Sequence, residues 1–177
     1  MKIAILGFAG SGKSTLARAL GELYGVPVLH LDTVQFLPGW QIRPQEEQLA
    51  LVQRFMDENE GWVIDGNYSN LLQPRRLAEA DKVLLLLFNR FAALRRVVKR
   101  YRQFRGQSRP DMADGCSEKL DAEFVRWVLW DGRTKKKREA FAQKRKVCGA
   151  KCVVLKNQRQ IDRWLENERS KANAGSL

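Results

Sequence analysis

Five short apolar runs divide the chain, and longer amphipathic segments separate them. The runs are KIAIL (2–6), VPVLHLD (26–32), GWVID (61–65), KVLLLLF (82–88) and KCVVL (151–155). A continuous apolar run of this length is typical of a strand that is buried on both faces of a sheet. Because strands that alternate with helices form an open parallel sheet, the pattern predicts an α/β fold. We expect a five-stranded parallel sheet with helices on both faces, which makes three layers.

Apolar positions recur at helical spacing between these runs. The predicted helices cover 13–25, 45–60, 90–104, 117–132, 133–146 and 158–168, with a shorter helical stretch inside 66–81. Ser117 is a suitable N-cap for the helix that it begins. We expect irregular chain over 33–44, a long Gly- and Pro-containing loop without apolar anchors over 105–116, and a frayed tail over 169–177.

The composition is typical of one globular domain. A chain of 177 residues that is 44% hydrophobic and 29% charged can bury a sizeable core. No apolar run approaches the roughly 20 residues of a membrane-spanning helix, so we expect no membrane association. The apolar start is too brief for a signal peptide, and the three cysteines are an odd number. We therefore expect a cytoplasmic protein whose free cysteines (Cys116, Cys148 and Cys152) pack as small apolar residues.

The net charge of +12 is unevenly distributed along the chain. Residues 1–88 contain 8 Lys or Arg against 10 Asp or Glu, whereas residues 89–177 contain 24 against 10. The balance therefore changes from −2 in the first half to +14 in the second half. Such an asymmetry indicates a polyanionic partner for the second half: nucleotide phosphates, nucleic acid or an anionic surface.

The clearest chemical signal is GFAGSGKS, residues 7–14, which satisfies the pattern G-x-x-x-x-G-K-[ST]. It lies between a predicted strand and a predicted helix, which is the context that a phosphate loop requires. Its glycines let successive backbone N–H groups point at phosphate oxygens, and the helix N-terminus adds partial positive charge. The sequence therefore predicts a site for a nucleoside triphosphate. The residues expected to line this site are Gly7, Ala9, Gly10, Ser11, Gly12, Lys13, Ser14 and Thr15.

Two of these side chains have separate roles in the expected chemistry. Lys13 can reach the β- and γ-phosphates, and the Ser14 hydroxyl can ligate Mg²⁺. Such a site also needs a carboxylate at the end of a neighbouring strand to hold Mg²⁺, often through water. Asp65, which ends GWVID, is the candidate, and Asp32 at the end of VPVLHLD is a second. We expect His30 to be a packed strand residue.

Arginines concentrate in the predicted helix 90–104 and in the loop that follows it. Arg96 and Arg100 are four residues apart and therefore lie on one helix face. Phosphoryl transfer needs cations around phosphate oxygens, and the fixed fork of arginine suits that task. We interpret Arg96, Arg100 and the loop residue Arg109 as catalytic, together with Lys13.

These motifs together resemble the nucleoside monophosphate kinase group of phosphate-loop enzymes, and more narrowly the adenylate-kinase-related DNA topology modulation proteins. The resemblance rests on GFAGSGKST, HLDTVQFLPGW, WVIDGNY, LRRVVKR and RPDMADGCSEKLDAEFVRWV. It implies a P-loop NTPase fold in one domain, with core residues 1–32, 61–100 and 133–168. It also implies an acceptor segment (33–60) and a basic helical lid segment (101–132). ATP and Mg²⁺ are the implied cofactors.

The resemblance also implies roles for individual residues. The loop from Gly10 to Thr15 would hold the donor phosphates, with Arg96 and Arg100 contacting ATP. Asp65 would stand beside Mg²⁺. The residues implied for the acceptor are Asp32, Trp40, Gly66, Asn67, Tyr68, Gln73 and Arg76.

The acceptor half departs from the adenylate kinase pattern at two places. Ser69 stands where that pattern has an arginine, and Arg75 or Arg76 could substitute for it. The stretch TVQFLPGW lacks the arginine that grips a monophosphate, unless Arg43 serves instead.

Three functions are consistent with these residues. The resemblance favours transfer of the γ-phosphoryl group of ATP to a nucleoside monophosphate, by a monomer or weak homodimer. A small hydroxylated acceptor, as in shikimate or gluconate kinases, would need a general base, and Asp32 is placed to serve. A less favoured alternative is ATP-dependent nucleic-acid binding through the basic stretch 133–146, with Trp127 and Trp130 nearby. We expect those two tryptophans to pack in the core with Phe124.

Overall fold

The structure of the chain is a computed structural model, and it describes residues 1–106, 111–112, 115–118 and 120–174. Strands and helices alternate along most of these residues. In chain order they are β1 (Lys2–Gly7), α1 (Lys13–Tyr24), β2 (Val28–His30), α2 (Leu31–Gln35), β3 (Phe36–Leu37), β4 (Gln41–Ile42), α3 (Gln45–Glu58), β5 (Trp62–Asp65), α4 (Gln73–Glu79), β6 (Lys82–Leu86), α5 (Arg90–Gln103), α6 (Ala122–Leu129), α7 (Lys135–Cys148), β7 (Cys152–Leu155) and α8 (Gln158–Ala174).

The five predicted strands form one parallel sheet in the order β2-β5-β1-β6-β7. Alternate side chains of the central strand β1 enter two separate cores. Ile3 and Ile5 pack against α1 and α8, whereas Ala4 and Leu6 face the core that contains residues of α3 and α7. The three-layer α/β architecture expected from the sequence is therefore confirmed. Within the described residues, no helix is long and apolar enough to cross a bilayer.

The parallel register determines where the site can form. β1 pairs with β5, with Ile5 opposite Asp65, and β5 pairs with β2, with Asp65 opposite His30. The carboxyl ends of these three strands consequently lie side by side at one edge of the sheet. In open α/β sheets, ligands bind at this edge. The phosphate loop, which follows β1, lies at the same edge.

The segment 33–44, expected to be irregular, contains short regular elements. The helix α2 leads into a two-stranded antiparallel hairpin, in which Phe36 pairs with Ile42 and Leu37 with Gln41. A 3₁₀ turn over 38–40 joins the two strands, and Gly39 adopts a φ of 74° there. The strands are only two residues long, too short to be recognised from alternation of polar and apolar residues.

The helix in the lid segment begins later than expected. It starts at Ala122, and the N-cap is Asp121, whose carboxylate accepts a hydrogen bond from the Phe124 backbone N–H at 2.7 Å. Ser117 is therefore not the cap, because Glu118 next to it forms a bridge with Arg105 in extended conformation. Any role for Arg109 and the rest of 107–110 lies outside the described residues.

Two further expectations for the lid segment are wrong. Met112 and Cys116 are 6% and 1% exposed, so this loop does have apolar anchors. Trp127 and Trp130 are 45% and 56% exposed and do not pack in the core, because Val128 and Leu129 occupy the buried face of α6. The Trp127 ring instead carries the Lys137 ammonium group at 3.4 Å from its centroid.

The C-terminal helix α8 is joined to the core by a buried acid. Glu168 accepts hydrogen bonds from Tyr24 on α1 and from Lys171, and its carboxylate lies 3.0 Å from the Lys82 ammonium group. The helix continues through Ala174, so residues 169–174 are not the frayed tail that we expected. Burial alone would raise the pKa of Glu168, but the hydrogen bonds from Tyr24, Lys82 and Lys171 outweigh it and lower the pKa.

We predict that Glu168→Gln lowers the free energy of unfolding at pH 7 by about 1–3 kcal/mol, the value of charge-assisted hydrogen bonds. Because the folded-state pKa of Glu168 is lowered, this contribution is present at neutral pH and is lost as the pH falls below about 4. Urea denaturation at pH 7 and at pH 3.5 measures both values. The control is Glu166→Gln, which changes an exposed glutamate of the same helix. An equal effect of the two substitutions would contradict the role of Glu168.

Candidate active site

The phosphate loop connects β1 to α1 in a conformation that glycine permits. Gly12 has a φ of 89°, and a Cβ atom there would lie 2.4 Å from Nη2 of Arg96. Gly7 is equally constrained, since its Cβ would lie 2.3 Å from the Leu86 carbonyl oxygen. The Ser11 hydroxyl donates to the Phe8 carbonyl at 2.8 Å and closes the loop from within. The close neighbours of the loop therefore leave no room for a side chain at Gly7 or Gly12.

The predicted metal-binding pair is in contact. The Ser14 hydroxyl donates a hydrogen bond to Oδ2 of Asp65 at 3.0 Å. Asp65 ends β5 and Ser14 lies in the first turn of α1, so the parallel register of β1 and β5 brings them together. A hydroxyl and a carboxylate are the hard oxygen donors that Mg²⁺ prefers. These two residues therefore fit a magnesium ion.

His30 belongs to this site, although we expected it to be a packed strand residue. Its Nδ1 lies 2.5 Å from Oδ1 of Asp65, on the side of the carboxylate opposite to Ser14. Burial lowers the pKa of His30, but the hydrogen bond and the charge of Asp65 outweigh it, and the pKa is raised overall. The charge of Asp111 also raises the pKa of His30, and the charge of Arg18 lowers it. The sequence did contain a signal for this role of His30: it stands two residues before Asp32, at the end of a strand that leads to this sheet edge.

The second predicted carboxylate points into the same cleft. Asp32 lies in the first turn of α2, and its Oδ1 accepts a hydrogen bond from the Tyr68 hydroxyl at 2.7 Å. Burial and the charge of Asp32 raise the pKa of Tyr68, so the phenol remains a proton donor at physiological pH. Tyr68 therefore orients the Asp32 carboxylate and leaves its other oxygen available to the cleft.

A cleft of about 1480 Å³ joins these groups. Most of the predicted residues line it: Ala9, Gly10, Gly12, Lys13, Ser14, Thr15, Asp32, Trp40, Asp65, Gly66, Asn67, Tyr68, Arg96 and Arg100. Gly7 and Ser11 are buried outside the lining, where they shape the loop. Catalytic roles for the lining residues stay predictions.

Three residues expected to bind the acceptor stabilise the loop after β5, and only one of them lines the cleft. Arg76 is fully buried and donates to the backbone carbonyls of Leu71, Gly66 and Tyr68. Gln73 is 6% exposed and donates to the Asn67 carbonyl. The Asn67 amide donates to the Gly7 carbonyl at 2.7 Å and accepts from the Gly7 N–H at 3.0 Å. Arg76 and Gln73 are therefore supports of the site, whereas Asn67 also lines the cleft and stays a predicted acceptor residue.

The other arginines considered for the acceptor are also committed elsewhere. Arg43 donates to the Val34 carbonyl at 3.0 Å and faces Glu47 on the next helical turn. Arg75 forms ion pairs with Asp57 and Glu79, both at 2.6 Å. Neither side chain lies in the cleft lining, so neither replaces the arginine missing at Ser69.

Arg96 and Arg100 do face the cleft from α5. The Arg96 guanidinium lies 5.3 Å above the Phe88 ring, and its Nη1 donates to Gln158. Nη2 of Arg100 lies 2.7 Å from the carboxylate of Glu118 in the lid segment. Sequence reasoning missed two more charged residues of the cleft, Arg18 on α1 and Asp111 in the lid segment. No local motif marks either of them.

No family model matches the chain, and no curated protein matches it. Solved structures do match along nearly its whole length. Shikimate kinase from Acinetobacter baumannii in complex with shikimate is 16% identical, with 99% of this chain and 94% of that chain covered and a TM-score of 0.57. Shikimate kinase from Bacteroides thetaiotaomicron is 17% identical, with 98% of both chains covered and a TM-score of 0.52.

Deoxyadenosine kinase from M. mycoides, solved with dCMP and dCDP, is a further match. It is 16% identical, with 98% of this chain and 100% of that chain covered and a TM-score of 0.51. At such identities the likeness concerns the fold. The chain therefore has the three-layer α/β fold of phosphate-loop kinases.

We predict that Arg76→Met lowers the free energy of unfolding by about 2–4 kcal/mol, because three buried carbonyls lose a charged donor. Arg75→Met is the matched control, since it removes ion pairs of a partly exposed side chain and should cost less than about 1 kcal/mol. Urea denaturation of both variants measures the difference. Similar losses in the two variants would show that Arg76 does not hold the loop.

Proposed function

We propose that this chain transfers the γ-phosphoryl group of ATP to a small acceptor. The observation that carries the proposal is the contact between Ser14 and Asp65 directly beside a complete phosphate loop. This pair fits Mg²⁺, which would neutralise phosphate charge when bound. The likeness to solved phosphate-loop kinases supports the same reaction class.

The chain's own cations would stabilise the transferred group. Lys13 lies in the loop, with its ammonium group 3.3 Å from the Phe8 carbonyl, and a bound phosphate would draw it outward. The Arg96 guanidinium lies against Gly12, where it would face the phosphates of a donor bound in the loop. Phosphoryl transfer depends mainly on such positioning and charge stabilisation, so this arrangement suits the reaction.

The acceptor that the geometry supports best is a small molecule with a hydroxyl group. A hydroxyl must lose its proton during transfer, and Asp32 presents a carboxylate for that purpose in the same cleft as Lys13. The Tyr68 hydrogen bond orients this carboxylate. A shikimate kinase solved with shikimate, a hydroxylated acid, is among the structures of similar fold and supports this acceptor class.

A nucleoside monophosphate is the second candidate acceptor. The motifs HLDTVQFLPGW and WVIDGNY, which resemble those of DNA topology modulation proteins and adenylate kinases, favour it. A cleft of about 1480 Å³ is also larger than the usual upper limit of about 1000 Å³ for one small ligand, so it can accommodate two nucleotides. Such an acceptor carries an oxyanion at neutral pH and needs no general base.

We predict that Lys13→Ala lowers kcat for acceptor-dependent ADP release by about 100- to 1000-fold or more, as expected for a preorganised charge donor. The assay uses ATP and Mg²⁺ with a panel of nucleoside monophosphates, nucleosides and small hydroxy acids. The control is Lys136→Ala, which removes an exposed lysine of α7. If Lys13→Ala retained the wild-type rate, the loop would not be the donor site.

We predict that Asp32→Asn lowers kcat by about 100- to 10,000-fold with a hydroxylated acceptor, because the general base is lost. The same substitution should have little effect if the acceptor is a phosphate, since no proton has to be removed. Tyr68→Phe, which keeps the carboxylate and removes its hydrogen bond, should have a smaller effect than Asp32→Asn. Steady-state kinetics with the best acceptor of the panel measures both. An unchanged kcat in Asp32→Asn would contradict the hydroxyl assignment and favour the monophosphate.

A further inference from the structure

Arg18 is a cleft residue without a role in the site described so far. It follows Ser14 by one turn of α1, so the two side chains lie on the same helix face. The Arg18 side chain is 43% exposed and lines the cleft. Within the part of the chain that the structure describes, its guanidinium donates no hydrogen bond. An arginine in this setting has its whole fork available to a ligand.

Asp111 indicates what kind of group belongs beside this arginine. Its Oδ1 lies 3.9 Å from Nη1 of Arg18, and its side chain is only 7% exposed. This distance allows charge attraction but is too long for a hydrogen bond. Asp111 therefore attracts the Arg18 guanidinium without accepting a hydrogen bond from it.

Arg100 also faces a carboxylate of the lid segment, but at hydrogen-bond distance. The carboxylate of Glu118 lies 2.7 Å from Nη2 of Arg100 and is 4% exposed. Two arginines of the cleft thus each face a carboxylate from residues 111–118. A planar guanidinium binds carboxylates and phosphates with the same geometry. A substrate anion could therefore bind each arginine close to where the protein carboxylate now lies.

We propose that Arg18 binds an anionic group of the acceptor, a carboxylate or a phosphate, and that Asp111 occupies the neighbourhood of this subsite when the acceptor is absent. The inference rests on the proposed kinase function and deepens its acceptor site. Arg43 and Arg75 interact with other residues, so in this proposal the arginine that binds the acceptor comes from α1. The acceptor is therefore an anion whichever of the two acceptor classes it belongs to.

The test fills the donor site first and then measures anion binding. Isotopically labelled protein is saturated with Mg²⁺ and a non-hydrolysable ATP analogue, and is titrated with inorganic phosphate or, separately, with malonate. NMR shifts of backbone amides give the Kd of each anion. Arg18→Met should weaken binding of the preferred anion by about 10- to 100-fold, the worth of a charge-assisted pair. The Kd of Arg18→Lys should lie between the values of the wild type and Arg18→Met. The Kd of Arg95→Met, which changes an exposed arginine of α5, should equal that of the wild type.

Asp111→Asn provides a test of opposite sign. Removal of the competing carboxylate should tighten anion binding severalfold in the wild-type background and give no gain when combined with Arg18→Met. If Arg18 had only a structural role, Asp111→Asn would not tighten anion binding in an Arg18-dependent way. The preferred anion distinguishes a phosphate subsite from a carboxylate subsite.

The outcomes separate the two proposals. If the wild type fails to bind the ATP analogue with Mg²⁺, the proposed kinase function is overturned. If the analogue binds normally but Arg18→Met and Arg18→Lys keep wild-type affinity for both anions, or neither anion binds the wild type, the assignment of Arg18 is overturned. Thermal unfolding of each variant shows that its fold is retained, which the partial exposure of Arg18 leads us to expect.

Discussion

The site depends on the two hydrogen bonds that join the Asn67 side chain to the Gly7 backbone. They connect the strand before the phosphate loop to the loop after β5, and so reinforce the parallel register that places Asp65 within reach of Ser14. Arg76 secures the same loop from the buried side through the carbonyls of Gly66 and Tyr68. A backbone held from both sides loses little freedom when a ligand binds, which is the condition for a preorganised site.

Carboxylates and cations share the cleft, an arrangement that would suit two anionic substrates. Asp65 ends β5 and Asp32 lies in the first turn of α2, directly after the neighbouring strand β2, while Lys13, Arg96 and Arg100 line the same cleft. The buried carboxylate of Glu118 is paired with Arg100, since a buried charge is costly unless it is paired. In the proposed reaction, substrate phosphates would offer Arg100 a second anionic partner.

Sequence patterns predicted the sheet, most helices and the donor half of the site because these depend on local signals. Continuous apolar runs identify buried parallel strands, and the pattern from Gly7 to Ser14 by itself predicts phosphate binding. The acceptor half depends on contacts between distant residues, which local spacing does not reveal. The resemblance to adenylate kinases implied that Arg76 and Gln73 bind the acceptor, yet both are buried and donate to backbone carbonyls. Arg18 and Asp111, 93 positions apart in the chain, meet only in the folded protein.

The proposed function requires that the loop binds the triphosphate of ATP, with Mg²⁺ held beside Ser14 and Asp65. A crystal structure with Mg²⁺ and a non-hydrolysable ATP analogue would reveal whether it does. We expect the γ-phosphate next to the Lys13 ammonium group, and the cation on the Ser14 hydroxyl with Asp65 bound directly or through water. Asp32 should face the γ-phosphate across the cleft. A nucleotide whose phosphates lie outside the loop, or a cation bound away from Ser14 and Asp65, would contradict it.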